Sequence, residues 1–477
     1  MELLCHRGDL PRCTADHLVE NNWSLTAIFR SSSARHLDAL GFLPASSIIG
    51  CLVILATVLA NLVAFDQRAL AQEGQDQDGT GEVVEATNRV ALPKAIIVTP
   101  PNNEVSSDLA KFSGAWAGDA WNGSTPNALV VEKVNEDGSA NVIFAWGDIA
   151  RRKRERGWSR IAARIADGVL SFSIPNRGTV EYSLARDGRL LGRYTFLSGR
   201  SDSVLLTRID PADRDKIIEA SHSSLSSGVV AFPVRLNPDA QETVQLHGIL
   251  YRTPLPGRRP LVIFSGDSVA SDAQRDRPNR APIRARQMLG LGYSVLVLQR
   301  KGMGGSGGSF MEPRDASIPL EIQLQSALDD LDAAITFMRK QEYVDSAHIV
   351  LMGIDRGGLL SVAYAGLHDG GVAGVVNTNG NWNVRGSWWS GLLSRKDFTG
   401  TQLTDAGRKT KLTMLWIYSA RDSSVLEYDR NNYRGFTAQG GHGTFVELSP
   451  EEKSESFGYS AVEKEDRAIS LYIQSLN

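Results

Sequence analysis

The sequence predicts two folded regions of different class: a small all-β region of about 100 residues, then an α/β region with a mostly parallel, doubly wound sheet. Three observations predict this. Between residues 105 and 212, short alternating runs such as ALVVEKV, VLSFSI and TVEYSL are separated by turn dipeptides (NEDG, ADG, ARDG). From residue 225 onward, apolar β runs alternate with amphipathic stretches of helical length. Upstream of both lies a long charge-free apolar run, Gly41–Phe65. The organisation that follows is a leader with its N-terminal extension (1–71), a polar linker (72–104), a β-rich accessory domain (105–212) and an α/β domain (225–477).

In the leader, Arg30 and Arg35 precede the apolar run, and Ala69-Leu70-Ala71 follows it as a small-x-small cleavage pattern. That is the anatomy of a secretory signal peptide, with cleavage before Gln72. The run is also long enough to cross a bilayer, so a retained single anchor is the competing reading. Either way the body is expected to be exported, to the periplasm or outside the cell. Contact with the membrane is expected only through an uncleaved leader. All three cysteines (Cys5, Cys13, Cys51) lie in the leader, so the body can hold neither a disulfide nor a thiolate metal site. The Gln/Asp/Gly-rich stretch that follows, residues 72–92 (QEGQDQDGTGEVVEATNRVAL), reads as a flexible tether.

The all-β region reads as a small barrel or curved sheet, because Asp-Gly and Asn-x-Gly turns at this spacing build successive hairpins. Its opening, Gly114-Ala115-Trp116, resembles the first strand of lipocalin-like barrels. Trp116, Trp121, Trp146 and Trp158 are expected in its core, since large aromatics fill small cores. The charge run Arg151-Arg152-Lys153-Arg154-Glu155-Arg156 is expected in a solvated hairpin loop, with an anion or membrane-surface contact as the alternative.

Composition bounds the function. The 477 residues carry a formal net charge of −3, with 42 % hydrophobic and 22 % charged residues. No basic domain suggests nucleic acid. The Gly-rich loop Gly302–Gly308 lacks the Gly-Lys-Ser/Thr ending of a phosphate-cradling loop, and no cofactor is expected.

The strand HIVLM running into Gly353-Ile354-Asp355-Arg356-Gly357 and then a helix has the pattern of a nucleophile elbow. On this motif the α/β region resembles the α/β-hydrolase superfamily. Further segments are similar to an exported esterase group related to dienelactone hydrolases. They are Phe264-Ser265-Gly266-Asp267-Ser268, the loop Gln299–Ser306, and Ile417-Tyr418-Ser419-Ala420-Arg421-Asp422. The resemblance implies carboxylic-ester hydrolysis of a small ester-like ligand. It puts Asp355 in the nucleophile place, Asp422 in the acid place, and Gly266, Asp267 and Ser268 near the oxyanion hole. Arg356 is expected to pair with Asp355 or Asp267, or to anchor a ligand. Trp382, Trp388 and Trp389 are expected as a pocket wall or as a packed short cap.

The chain departs from that pattern at two points. The elbow carries Asp instead of Ser, and no histidine follows the last strand, GTFVELS. His442 precedes that strand, which at ~3.3 Å per residue puts it about 20 Å from the strand end where chemistry occurs. Two aspartates alone are a poor divalent-metal site, so no metal is expected. Three readings stay open: a carboxylate nucleophile at Asp355, an ester hydrolase with an altered base (Glu451, Glu452 or Lys453), or a scaffold that binds without triad chemistry.

Overall fold

A computed structural model describes residues 88–149, 154–223, 225–236, 241–268, 272–313, 317–368, 371–382, 392–419, 423–448 and 459–476. The leader, with its cleavage pattern, lies outside the described residues. Residues Gly79–Asn477 form one compact unit.

The all-β region is a closed antiparallel barrel of eight strands in sequence order. They are β1 (Gly114–Trp121), β2 (Thr125–Val134), β3 (Ser139–Trp146), β4 (Gly157–Ala166), β5 (Val169–Ile174), β6 (Gly178–Leu184), β7 (Leu190–Phe196) and β8 (Ser201–Ile209). Closure pairs β1 with β8 and removes both edges. Tight turns set the hairpins, with Gly138, Gly168 and Gly188 at positive φ where glycine alone is unstrained. The interior is filled by Trp116, Trp121, Phe144, Phe172, Tyr182 and Tyr194. Trp158 is a correction: it faces outward from β4 and is 39 % exposed. The pleat explains this, since Trp158 is one residue out of phase with the inward positions Ala163 and Ile165.

The expected linker is folded in its last part. Val90 and Leu92 are buried against the outer face of the barrel, with Ala115, Ala117, Val130, Ile143 and the helix Arg214–Ala220. Small alanines on that face let the segment lie close to the strands.

The α/β region has an eight-stranded mixed sheet. Its strands are β9 (Gly228–Arg235), β10 (Thr243–Tyr251), β11 (Arg259–Ser265), β12 (Ser294–Gln299), β13 (Val344–Ile354), β14 (Gly374–Thr378), β15 (Thr413–Ser419) and β16 (His442–Leu448). Their order is β16-β15-β14-β13-β11-β12-β10-β9, with β10 antiparallel to both its neighbours, β12 and β9, and every other adjacent pair parallel. The helices needed below are α1 (Pro282–Gly290), α2 (Leu320–Arg339), α3 (Arg356–Leu367), α4 (Leu392–Lys409), α5 (Ser423–Ala438) and α6 (Tyr459–Ser475). Alternate residues of the central strands face opposite cores. Leu261 and Ile263 pack with α2 and α3 on one side, and Val262 and Phe264 with α1 and α6 on the other. Near-continuous apolar runs such as Leu261–Phe264 and Val295–Leu298 are therefore buried on both faces, as parallel strands must be.

The barrel is fastened to the α/β region through α1. Arg286 of α1 makes a bidentate ion pair with Asp119 of β1 (2.5 and 2.9 Å), both side chains buried. The backbone N–H of Leu205 donates to the same carboxylate at 3.0 Å. Arg193 of β7 pairs with Asp466 of α6, and the β6–β7 turn donates from Arg186 N–H to the Gly290 carbonyl (2.9 Å).

Candidate active site

The elbow is built by two glycines. A Cβ on Gly353 would stand 2.1 Å from the Gly357 carbonyl oxygen, and one on Gly357 would stand 2.0 Å from the Ser265 carbonyl oxygen. Only glycine lets the chain reverse from β13 into α3 while pressed against the end of β11. Between them Asp355 sits at φ 51°, ψ −118°, a conformation that costs an L-residue on the order of 1–3 kcal/mol. The turn is held by Asp355 N–H donating to Thr378 O (3.0 Å), and by Gly358 N–H and Asn381 N–H donating to Asp355 O (2.9 and 3.2 Å). The Asp355 side chain does not cap α3. The Asn381 amide lies 3.5 Å from its Oδ1.

The register puts Asp355 at the carboxyl edge. Ser265, Gly353, Asn377, Trp416 and Phe445 form one row across five strands, and Asp355 follows two residues after Gly353. β15 ends at Ser419 on the same edge. Asp422, the expected acid, lies outside the described residues, as do Trp388, Trp389, Glu451, Glu452 and Lys453.

All five histidines after residue 87 are described, and the register or partners of each lead away from the elbow. His442 pairs with Thr413 at the first residues of β16 and β15, the opposite edge of the sheet. His348 sits near the start of β13, on Asp345 at 2.8 Å. His368 stacks on Tyr364 past the end of α3, and His222 contacts the Glu219 carbonyl. His247 does reach the carboxyl edge, opposite Gln299. It is three strands from β13, about 14 Å at ~4.8 Å per strand, and lies beside Gly305.

Beneath the elbow runs a buried ionic network that sequence reasoning missed. Glu312 accepts a bidentate pair from Arg300 (Nη2–Oε2 2.8 Å) and a hydrogen bond from the Ser268 hydroxyl. Arg300 also donates to the Gly266 carbonyl at 3.0 Å. Burial alone would push the Glu312 carboxyl up. The Arg300 charge and hydrogen bonds, the Ser268 hydrogen bond and the nearby Arg356 charge outweigh that and hold it below the ordinary range. Next to this network, Lys301 and Asp330 form a second buried ion pair.

Two expected site residues belong to this floor. The Arg356 guanidinium runs under the elbow to the Glu312 carbonyl (2.8 Å), Gln323 Oε1 (3.0 Å) and the Pro313 carbonyl (3.5 Å), over the face of Trp382. Arg356 is buried, and these contacts tie it to the Glu312–Gln323 floor beneath the elbow. Trp382 is 2 % exposed, packs in the core and donates to Gln323 at 3.1 Å. The Ser268 hydroxyl donates to Glu312. Gly266 is buried and Asp267 half-buried at the β11 end, against which the first turn of α3 is pressed. The first turn of α3, at Gly357, and the Ser265–Gly266 backbone thus lie against each other at this edge. A sequence clue to the network was available: Arg300-Lys301 ends an apolar buried strand, where two cations require acidic partners.

One further carboxyl borders the site. Asp429 occupies the apolar stripe of α5 with Leu426, Tyr433 and Phe436, is 7 % exposed, and burial raises it to about 7. Burial first, and then the charges of Asp429 and Asp355, push up the Tyr418 hydroxyl, which is locked between Asn377 Nδ2 and the Gly380 carbonyl. A carboxyl raised on folding contributes stability that is lost as pH rises from its unfolded value near 4 through about 7. Asp429→Asn is expected to stabilise the fold at pH 8 by up to about 4 kcal/mol, read as a higher urea midpoint, and to change little at pH 4. Equal effects at the two pH values would show that Asp429 is ionised throughout.

Among the described residues no cluster of three or more His, Cys, Asp or Glu could hold a metal ion. No family model matches the sequence, and a search of curated proteins finds no match. Solved structures with related shape include an esterase from Pyrococcus furiosus (13 % identity, 53 % of this chain and 91 % of that one, TM-score 0.37). An acylaminoacyl peptidase from Pyrococcus horikoshii (13 %, 73 % and 61 %, TM-score 0.37) and the α/β hydrolase GrgF from Penicillium (14 %, 52 % and 100 %, TM-score 0.37) are similar in the same degree. At these scores the likeness carries no functional argument. The architecture rests on the strand order and the elbow.

Proposed function

We propose that the α/β part is an ester-hydrolase scaffold that binds a small ester-like molecule above Asp355 and does not turn it over. One observation carries the reading: the elbow presents a carboxylate, and all five histidines after residue 87 lie elsewhere. A serine-type reaction needs a nucleophile with a base in hydrogen-bond reach. A carboxylate nucleophile needs a base to activate the water that frees the covalent ester. Among the described residues no histidine is placed at the elbow to serve as that base. The close approach of the Gly357 turn to the Ser265–Gly266 backbone supports retention of carbonyl binding. An exported location, from the leader pattern, belongs to the same proposal.

The test is turnover of short-chain p-nitrophenyl esters together with fluorophosphonate labelling. The natural chain is expected to show no label, and at most the 10³–10⁴-fold acceleration over water that binding and an oxyanion hole supply. Asp355→Ser is expected to leave this unchanged, since no base is in place, and His442→Ala likewise. Robust turnover abolished by Asp355→Asn would overturn the reading in favour of a carboxylate nucleophile.

A further inference from the structure

The loops joining β5 to β6 and β7 to β8 meet at one end of the barrel. The Leu197 N–H donates to the Arg177 carbonyl at 3.1 Å and holds the two loops side by side. At this junction lies a cleft of 590 Å³, lined by Arg154, Arg177, Phe196 and Leu197 among others. Its volume is that of a small-molecule site.

One wall is cationic. Residues 175–177 and 197–200 hold two arginines and no acid. Arg177 is half-buried, and its guanidinium has neither a hydrogen bond nor an ion pair among the described residues. Five N–H donors in a planar fork are thus presented at the cleft. Arg154 lies with its guanidinium 3.7 Å from the centre of the Trp146 ring, so a second cation is held in place over an aromatic base. The indole Nε1 of that ring donates to the Glu155 carbonyl at 3.0 Å, which fixes the base in turn.

The other wall is apolar and rigid. Phe196 stacks on Tyr194 with ring centres 4.4 Å apart, and Tyr194 meets Trp121 edge-on at 5.8 Å. Tyr194 and Trp121 belong to the barrel core, so Phe196 is anchored from within. Leu197 beside it is 63 % exposed. Preformed walls of this kind lose little side-chain freedom when a ligand enters. Each wall selects one part of that ligand. A guanidinium fork without a partner matches a carboxylate, which it can hold through two parallel hydrogen bonds. An anchored ring with a leucine at its side matches a flat apolar group.

We propose that this cleft binds a small aromatic carboxylate, with the carboxylate on Arg177 and the ring against Phe196 and Leu197. Its described lining comes wholly from the barrel, so the proposal does not depend on the chemistry at Asp355. The experiment is a ligand-observed NMR titration of the full chain with 1-naphthoate, 1-naphthalenemethanol or acetate. Expected is saturable binding of naphthoate with a dissociation constant of about 1 mM or tighter, the scale for roughly 13 non-hydrogen atoms. The alcohol keeps the rings and lacks the charge, and should bind about tenfold more weakly. Acetate lacks the rings and should not bind measurably. Arg177→Met should weaken naphthoate about tenfold and leave the alcohol as it was, and Arg177→Lys should restore part of the loss. Leu197→Glu sets a like charge at the rim and should abolish naphthoate binding, with the circular dichroism of the natural chain retained. If Arg177→Met did not fold, Leu197→Glu would decide alone. Equal affinity for naphthoate and the alcohol, or no saturation by ~10 mM naphthoate, would overturn the proposal. So would naphthoate binding that survives either substitution in the folded chain, since a ligand seated elsewhere, on the leader included, would be indifferent to both.

Discussion

Glu312→Ala is expected to destabilise the folded chain by about 3–5 kcal/mol, read as a fall in the urea midpoint. The variant leaves Arg300, only 2 % exposed, without its bidentate partner, and strips the Ser268 hydroxyl of its acceptor. The cost is that of an uncompensated buried charge, and it exceeds what the pair gained in forming. Two companions separate this from lost packing. Arg300→Met with Glu312→Leu removes both charges and should recover most of the loss, since apolar replacement of a buried pair is often neutral or better. Glu312→Gln keeps one acceptor and should fall between. The sign with pH is fixed as well. The Glu312 carboxyl is depressed on folding, so its contribution is full above the unfolded carboxylate value near 4 and is lost as pH falls further. In Glu312→Gln that acid-side slope should flatten. If Glu312→Ala melted like the natural chain, the floor of the elbow would be held by packing alone.

Asp119→Ala should uncouple the barrel from the α/β part. Asp119 faces out of β1 and is the acceptor for Arg286 and for Leu205 N–H, all buried. Its removal strands the Arg286 guanidinium in the interface, again at about 3–5 kcal/mol. Because the barrel has a separate interior core, the loss should fall on the seam. Calorimetry should then resolve two transitions where the natural chain gives one. Asp119→Leu with Arg286→Met should restore a single transition. A single transition at unchanged temperature in Asp119→Ala would mean that the apolar contacts of α1 with Leu205 and Ala185 suffice to join the parts.

These two sites show what could be read in advance. The hairpin turns and strand alternation announced the barrel because turn chemistry and pleat are local properties. Gly353 and Gly357 announced the elbow because a reversal that sharp admits no Cβ. Asp355 could be placed on it for the same reason. His442 could be excluded because its distance from the strand end is a count of residues along one β-strand. The roles of Arg356 and Trp382 were not legible. Both sit in motif positions that point to a site, yet both side chains turn down to Gln323, 33 and 59 residues away in sequence.

By itself, then, the sequence determined the order of elements, the two fold classes and the residue at the tip of the elbow. These follow from propensities and periodicities that act within about ten residues. Only the tertiary structure decided that Glu312 closes on Arg300, that Asp119 closes on Arg286 across 167 residues, and that Asn88 ties onto Asp148. Buried charges must find partners, but burial is a property of the packed chain, and many acids in the sequence could have served. The choice among them is made when the layers come together and exclude water, a step that no local pattern encodes.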